Sequence, residues 1–120
     1  PHELAERVAH CRVLVTGAYH LAVFALSQGI PVVGLSASRY YDDKLHGLGD
    51  MFEDGLEPVR LDDPELDQRL DKAVRTAWDS ASEVREPLRA RARAQIAASK
   101  QAYERVFALV EDTDQVADHT

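Results

Sequence analysis

The sequence has few groups that would favour a membrane, secreted or nucleic-acid-binding protein. Its longest almost wholly apolar run covers residues 21–26, far short of the ~20 residues that cross a bilayer, so no transmembrane segment is predicted. The only cysteine, Cys11, cannot form an internal disulfide, and we interpret it as a small buried hydrophobic residue. Fourteen lysines and arginines face 21 acidic residues, a net charge of −7, which argues against nucleic acid as a partner.

Motifs for bound cofactors are also missing. The sequence contains no G-x-G-x-x-G and no Walker loop, and no spacing of His, Cys and Asp resembles a metal site. We therefore predict neither a cofactor nor a metal ion.

The 120 residues, 45% hydrophobic and 29% charged, suit one soluble domain with its own core. We place this domain at residues 1–111 and predict a disordered polar tail at 112–120. The chain opens without methionine, inside an amphipathic helical pattern. We expect it to be the C-terminal piece of a longer protein whose N-terminal domain precedes it.

Apolar runs and helical patterns alternate along the chain, which predicts an α/β fold with a Rossmann-like parallel sheet in three layers. Gly29 is placed for a left-handed helix cap, and Trp78 falls on the apolar face of a late helix. The predicted elements are a helix at 3–9, a strand at 12–16 buried on both faces, a helix at 19–27, a strand at 31–35, a helix at 39–48 followed by a loop at 51–55, a strand at 57–61, and two helices that begin near residues 64 and 87.

The turns after the first two strands carry the polar groups of a candidate site. Because the strands of a strand-helix-strand crossover are parallel, both turns should open at one edge of the sheet. Backbone N–H groups at a helix start, hydroxyls and cations in one crevice suit a phosphate or carboxylate. The candidate ligand-binding residues are Thr16, Gly17, Tyr19, His20, Ser36, Ser38, Arg39 and Lys44.

Three of these residues also have a purely structural interpretation. His20 can hydrogen-bond a nearby carbonyl, and Lys44 can be a solvated cation. Arg39 can pair with Asp42 or Asp43 on its own helix, and such surface pairs contribute little to stability.

The run VLVTGAYHLAVFALSQGIPVVGLS at residues 13–36, followed by Lys44 and by GLG at 47–49, resembles the C-terminal half of the polysaccharide pyruvyl transferases. The shared pattern is a strand that ends in Thr or Ser, a histidine shortly after it, an apolar helix, Gly-Ile-Pro, a second apolar strand and a later lysine. The resemblance covers roughly residues 8–55.

This resemblance implies two facing α/β domains, as in the GT-B glycosyltransferases, and metal-free transfer of a pyruvyl group from phosphoenolpyruvate to a sugar. The acceptor would belong to a bacterial cell-surface polysaccharide, and the location would be cytoplasmic, where the donor is made. His20 would contact the donor phosphate or act as a general acid, and Lys44 would hold the anionic donor. The chain by itself would be inactive, because half of the cleft would lie in the N-terminal domain.

One position departs from the family pattern. Many members carry an arginine two residues before the histidine, where this chain has Ala18. Arg39 supplies the missing cation, or the donor differs, or the site has lost activity. Two alternatives stay open. The pattern of a histidine, an apolar helix and Gly-x-Pro also resembles glycosyltransferases, so the chain could be the sugar-nucleotide half of a glycosyltransferase or epimerase. Ala18 favours the other alternative, a non-catalytic binding domain of the same fold.

Overall fold

The computed structural model describes residues 2–53 and 55–118 and has the predicted α/β alternation. Its strands form one parallel sheet in the order β1-β2-β3. The elements are α1 (His2–Ala9), β1 (Leu14–Thr16), α2 (Tyr19–Ser27), β2 (Val32–Ser36), α3 (Arg39–Phe52), β3 (Leu56–Arg60) and α4 (Leu66–Asp118). The α/β class and the parallel sheet are confirmed and are consistent with a Rossmann-like arrangement.

The sheet has helices packed on both of its faces. Val32 and Val33, successive residues of β2, point to opposite faces and lie in separate core clusters. The Val32 cluster takes side chains from α1, α2, α3 and the middle of α4. The Val33 cluster takes Ala73 and Ala77 from the start of α4. Helix α4 therefore contributes to both clusters, first on one face of the sheet and then on the other.

Strand β3 is an edge strand, and its proline has a definite orientation. Leu61 N–H donates to the Ser36 carbonyl at 2.9 Å, and Val32 N–H donates to the Gly55 carbonyl at 2.7 Å. In a parallel ladder the bonded residues alternate, so the backbone nitrogen of Pro58 points away from β2. Pro58 thus occupies an edge position where the sheet needs no donor.

Strand β1 is shorter and more exposed than predicted. It begins at Leu14, and Val15 is 41% exposed, so the prediction of a strand buried on both faces is wrong. Among the described residues β1 has only β2 as a neighbour, and an edge strand lacks the cover of a central one. Cys11 is also exposed, and its thiol donates to the Arg7 carbonyl at 3.3 Å; the buried role that we predicted for it is wrong.

Helix α3 runs through its two glycines to Phe52, past its predicted end at Leu48 and into the first two residues of the loop predicted at 51–55. Leu45, Leu48 and Phe52 are all buried, and burial of this face outweighs the low helix propensity of the two glycines. The helix ends at Glu53, which adopts a left-handed conformation with φ 65°.

The two predicted C-terminal helices are one helix, α4, with Pro87 inside it. Pro87 removes a single helical hydrogen bond, while Val84 and Leu88 beside it are buried in the core. Trp78, predicted on the inner face, is 54% exposed. The guanidinium of Arg12 lies 4.9 Å from the centre of its ring.

Two glycines with positive φ let α2 and β3 approach α4 closely. A Cβ on Gly29 (φ 85°) would lie 2.6 Å from the Arg85 carbonyl oxygen, and one on Gly55 (φ 88°) would lie 2.8 Å from Leu88 side-chain atoms. The left-handed cap predicted at Gly29 is confirmed. Side chains of α4 add polar tethers, since Arg89 donates to the Gln28 carbonyl at 2.9 Å.

The C-terminal boundary lies partly outside the described residues. The backbone of α4 is helical as far as Asp118, within the predicted tail, and residues 119–120 are not described. The domain limits 1–111 stay a prediction. In the part of the chain that the structure describes, no helix combines the length and hydrophobicity needed to span a membrane.

Candidate functional site

The first turn of the candidate site joins β1 to the N-terminus of α2. The Thr16 hydroxyl accepts a hydrogen bond from Ala18 N–H at 3.0 Å, which shapes the turn. Ala18 is the N-cap of α2 and supplies no side-chain cap. The first backbone N–H groups of a helix lack intrahelical acceptors, so those of Tyr19 and His20 are available to an anion.

The second turn joins β2 to α3 and is held by its own serines. The buried Ser36 hydroxyl donates to the Ser38 carbonyl at 2.9 Å. The Ser38 hydroxyl accepts from Tyr41 N–H at 3.2 Å, which confirms its predicted role as the N-cap of α3. Both serines therefore shape the backbone of the turn.

Two contacts bring the turns together at the carboxyl edge of the sheet. The Tyr41 hydroxyl donates a hydrogen bond to the Gly17 carbonyl. The Lys44 ammonium lies 4.3 Å from the centre of the Tyr19 ring, a cation–π contact. The His20 ring packs edge-on against the same tyrosine, with ring centres 5.8 Å apart. Tyr19 thus lies in contact with both the histidine and the lysine of the candidate site.

The remaining cation, Arg39, lies at the start of α3. Its side chain is exposed and makes no hydrogen bond or ion pair within the described residues. Asp42 pairs instead with His46 at 3.3 Å. Arg39 therefore remains available to a ligand that reaches the second turn.

Tyr41 is the contact residue that sequence reasoning undervalued. A tyrosine in the first turn of a helix is most often a packing residue, and here its hydroxyl crosses to the neighbouring turn. The sequence feature that could have identified Tyr41 is its position just after β2, at the sheet edge where both turns were expected to meet.

A cleft of about 430 Å³ lies further along this side of the molecule, between α3, β3 and α4. It is lined by both acidic and basic groups, and none of the candidate ligand-binding residues belongs to its lining. At its rim Arg60 donates to Asp62 at 2.9 and 3.1 Å, and this bond lowers the pKa of the Asp62 carboxyl. The lining residues are Asp42, His46, Glu57, Pro58, Val59, Arg60, Asp63, Arg69, Lys72, Ala73 and Thr76.

Within residues 2–53 and 55–118, the structure holds no group of three or more His, Cys, Asp and Glu side chains that could bind a metal ion. The donors of the two turns are hydroxyls, backbone N–H groups, an imidazole and two cations, which favour an anionic ligand.

A comparison with protein families identifies this same segment. Residues 1–39 match the polysaccharide pyruvyl transferase family model. The family resemblance is thereby confirmed for this part of the chain, which holds α1, β1, α2 and β2 with both turns. Lys44 lies beyond the matched residues. No curated protein and no solved structure matches the chain.

Proposed function

We propose that this chain is the donor-binding domain of a polysaccharide pyruvyl transferase. The donor would be phosphoenolpyruvate, and the acceptor a sugar of a bacterial cell-surface polysaccharide. The observation that carries the proposal is the contact of Tyr19 with both His20 and Lys44, in a turn that belongs to the segment matching the family.

The charges at this edge suit a small trianion. The free N–H groups at the start of α2 favour an anionic group, each such interaction with a helix terminus contributing ~0.3–1 kcal/mol. Lys44 adds a full positive charge above Tyr19, and Arg39 lies on the second turn. A donor whose phosphate lies at the start of α2 and whose carboxylate points toward α3 would contact both the free N–H groups and the two cations.

The proposed chemistry assigns a proton to His20. A sugar hydroxyl adds to phosphoenolpyruvate: its oxygen bonds to C2 and loses its proton, while C3 takes up a proton. A second hydroxyl of the sugar then replaces the phosphate at C2. Its proton leaves with the phosphate, which closes the ketal and releases inorganic phosphate. His20 would supply the proton or hydrogen-bond the phosphate as it leaves, because its exposed imidazole lies beside the start of α2.

The proposal also includes a partner domain. The chain supplies one half of a cleft, and the acceptor would bind on an N-terminal domain that faces it, as in a GT-B arrangement. We therefore expect this chain to bind the donor without turnover. A cytoplasmic location follows from the proposed donor.

The test is a titration of backbone amide shifts with phosphoenolpyruvate. We expect shifts at residues 16–20 and 36–44, and at least a tenfold weaker response in His20→Ala and in Lys44→Gln. Lys100→Gln, an exposed lysine on α4, is the matched control and should bind as the parent does.

Other outcomes would contradict the proposal in distinct ways. A response to uridine diphosphate alone would favour the sugar-nucleotide alternative. No response to either compound would favour the non-catalytic alternative, which Ala18 supports, since α2 carries no cation at that position.

A further inference from the structure

A second cleft opens at the opposite edge of the sheet, where the strands begin. Its volume is about 200 Å³, and it lies between the end of α1, the segments before β1 and β2, and the middle of α4. Its lining includes two arginines and a histidine, and no acidic residue of the described chain belongs to it. The lining residues are His10, Cys11, Arg12, Gly29, Ile30, Ala81, Ser82 and Arg85.

This composition is unusual for the chain as a whole. The sequence carries an excess of seven negative charges, yet the cleft brings together two arginines, Arg12 and Arg85, from separate segments of the chain. Cations that share a cleft repel one another unless an anion lies between them, and the local potential attracts anions from solution.

Arg12 is held in place for such a ligand. Its Nε and one terminal nitrogen donate to the Trp78 carbonyl at 3.0 and 2.7 Å, and its guanidinium stacks on the Trp78 ring. A guanidinium has five N–H groups, so three remain. The described residues supply no further acceptor for them. Because the side chain is already ordered, little conformational entropy is lost when it binds an anion.

Arg85 approaches the cleft from α4. Its backbone and the base of its side chain pack against Gly29, where an added Cβ would lie 3.0 Å from the Arg85 Cγ. Its guanidinium makes no hydrogen bond or ion pair within the described residues. Ser82, one helical turn before it and also in the lining, has a hydroxyl with no partner there.

We propose that this cleft is a binding site for a small phosphate-class anion, namely inorganic phosphate or the phosphate group of a small monoester. Arg12 and Arg85 would bind the oxygens, and Ser82 would donate a further hydrogen bond. Planar guanidinium groups match the oxygens of phosphate well. The volume is below the range of ~300–1,000 Å³ typical of sites for larger ligands, which favours a small anion.

The test is a titration of backbone amide shifts with inorganic phosphate at constant ionic strength. We expect saturable shifts at residues 10–12, 29–30 and 81–85. Arg85→Gln should weaken this binding at least tenfold. Arg75→Gln is the matched control, because Arg75 lies on the same helix in an exposed pair with Asp71, and it should bind as the parent does.

A second variant guards against a folding defect in the first. Ser82→Glu keeps both arginines and adds a carboxylate to the exposed rim, so it should abolish the response without lowering the melting temperature. Shifts that do not saturate, that appear equally with added chloride, or that persist in both variants would overturn the proposal.

This site stands apart from the proposed donor site, and the same titration separates them. Phosphate at the donor site would shift residues 16–20 and would weaken in His20→Ala. Binding at the cleft should be unchanged in that variant. Failure of either site therefore leaves the other measurable.

Discussion

The two parts of α4 show how the same helix is held in two different ways. Residues 66–92 pack on the sheet and on the other helices, with Leu88 fully buried and Ala73 and Ala77 each 7% exposed. Gln95 still reaches α3, since its side chain donates to the Met51 carbonyl at 2.6 Å. Beyond it, the side chains of residues 96–109 are all exposed, and Ile96 and Tyr103 are 69% and 71% exposed. The first part is stabilised by burial of its apolar face, and residues 96–109 depend more on helix propensity and local contacts.

Local contacts do exist in the second part. The rings of Tyr103 and Phe107, one turn apart, stack with centres 6.2 Å apart. Pairs at this spacing stabilise an isolated helix by only ~0.2–0.5 kcal/mol. The position of α4 on the sheet is therefore determined by the packing of its first part, residues 66–92.

The largest effect should come from Leu88→Ala. Leu88 is fully buried beside Gly55, so truncation leaves a cavity and should lower the free energy of unfolding by ~2–5 kcal/mol. Urea denaturation measures the loss. Ile96→Ala, the same kind of truncation in the exposed part, should change it by less than ~0.5 kcal/mol. Equal losses in the two variants would show that both parts of α4 are stabilised by burial to the same degree, which contradicts the difference described above.

The next effect concerns the fit of β3 against α4. Gly55→Ala combines a positive φ with a Cβ only 2.8 Å from Leu88 atoms, and we expect a loss of ~1–3 kcal/mol in the free energy of unfolding. Gly47→Ala is the opposite case: its Cβ would meet nothing within 4 Å, and alanine favours the helix by ~0.5–1 kcal/mol. Thermal denaturation of the two variants should show a lower melting temperature for Gly55→Ala and a higher one for Gly47→Ala. A higher melting temperature for Gly55→Ala would contradict the close packing of Gly55 against Leu88.

Phe107→Ala should be nearly silent. The side chain is 55% exposed and stacks on Tyr103, so the helical circular dichroism should be unchanged and the free energy of unfolding should change by less than ~0.5 kcal/mol. A loss above ~1.5 kcal/mol would mean that the outer part of α4 is packed against something in solution.

The smallest effect on stability should come from the exposed ion pair of Arg60 and Asp62, which lies before α4. The hydrogen bond from Arg60 lowers the pKa of Asp62 below its unfolded value, so this pair stabilises the fold above the unfolded pKa. The contribution is lost as the pH falls through the folded pKa. Arg60→Gln should raise the pKa of Asp62 toward its ordinary range, which a side-chain NMR titration would detect. An unchanged titration would show that the pair is open in solution.

Sequence patterns predicted the elements that depend on local signals. The bounds of α2 were predicted because an apolar run is enclosed by Gly17 and by Gly29 with Pro31. The N-cap at Ser38 was also predicted from neighbouring residues, because the capping hydroxyl bonds to a backbone N–H of the helix that it begins.

The errors arose where tertiary contacts decide the outcome. Gly47 and Gly49 suggest an early end to α3, but the burial of Phe52 extends the helix. Pro87 suggests a break, but Leu88 beside it is fully buried and the helix continues. No pattern in the chain marks Trp78 as the partner of Arg12, because that contact joins residues 66 positions apart.

For the candidate site, topology predicted that the two turns meet, since parallel strands place both at one edge. It did not predict that Tyr41 bonds to Gly17 or that Lys44 covers Tyr19. Those contacts depend on how α3 is rotated about its axis, which the strand order leaves open.

The orientation of Pro58 has a consequence for self-association. An exposed sheet edge invites strands of other molecules, and each backbone donor on it is a point of attachment. Pro58 lies at the middle of β3 with its nitrogen facing outward, so an incoming strand finds no hydrogen-bond donor at the centre of this edge. Pro58 therefore disfavours the pairing of another strand with this edge. It needs no charged side chain for this, and the hydrogen bonds between β2 and β3 are kept.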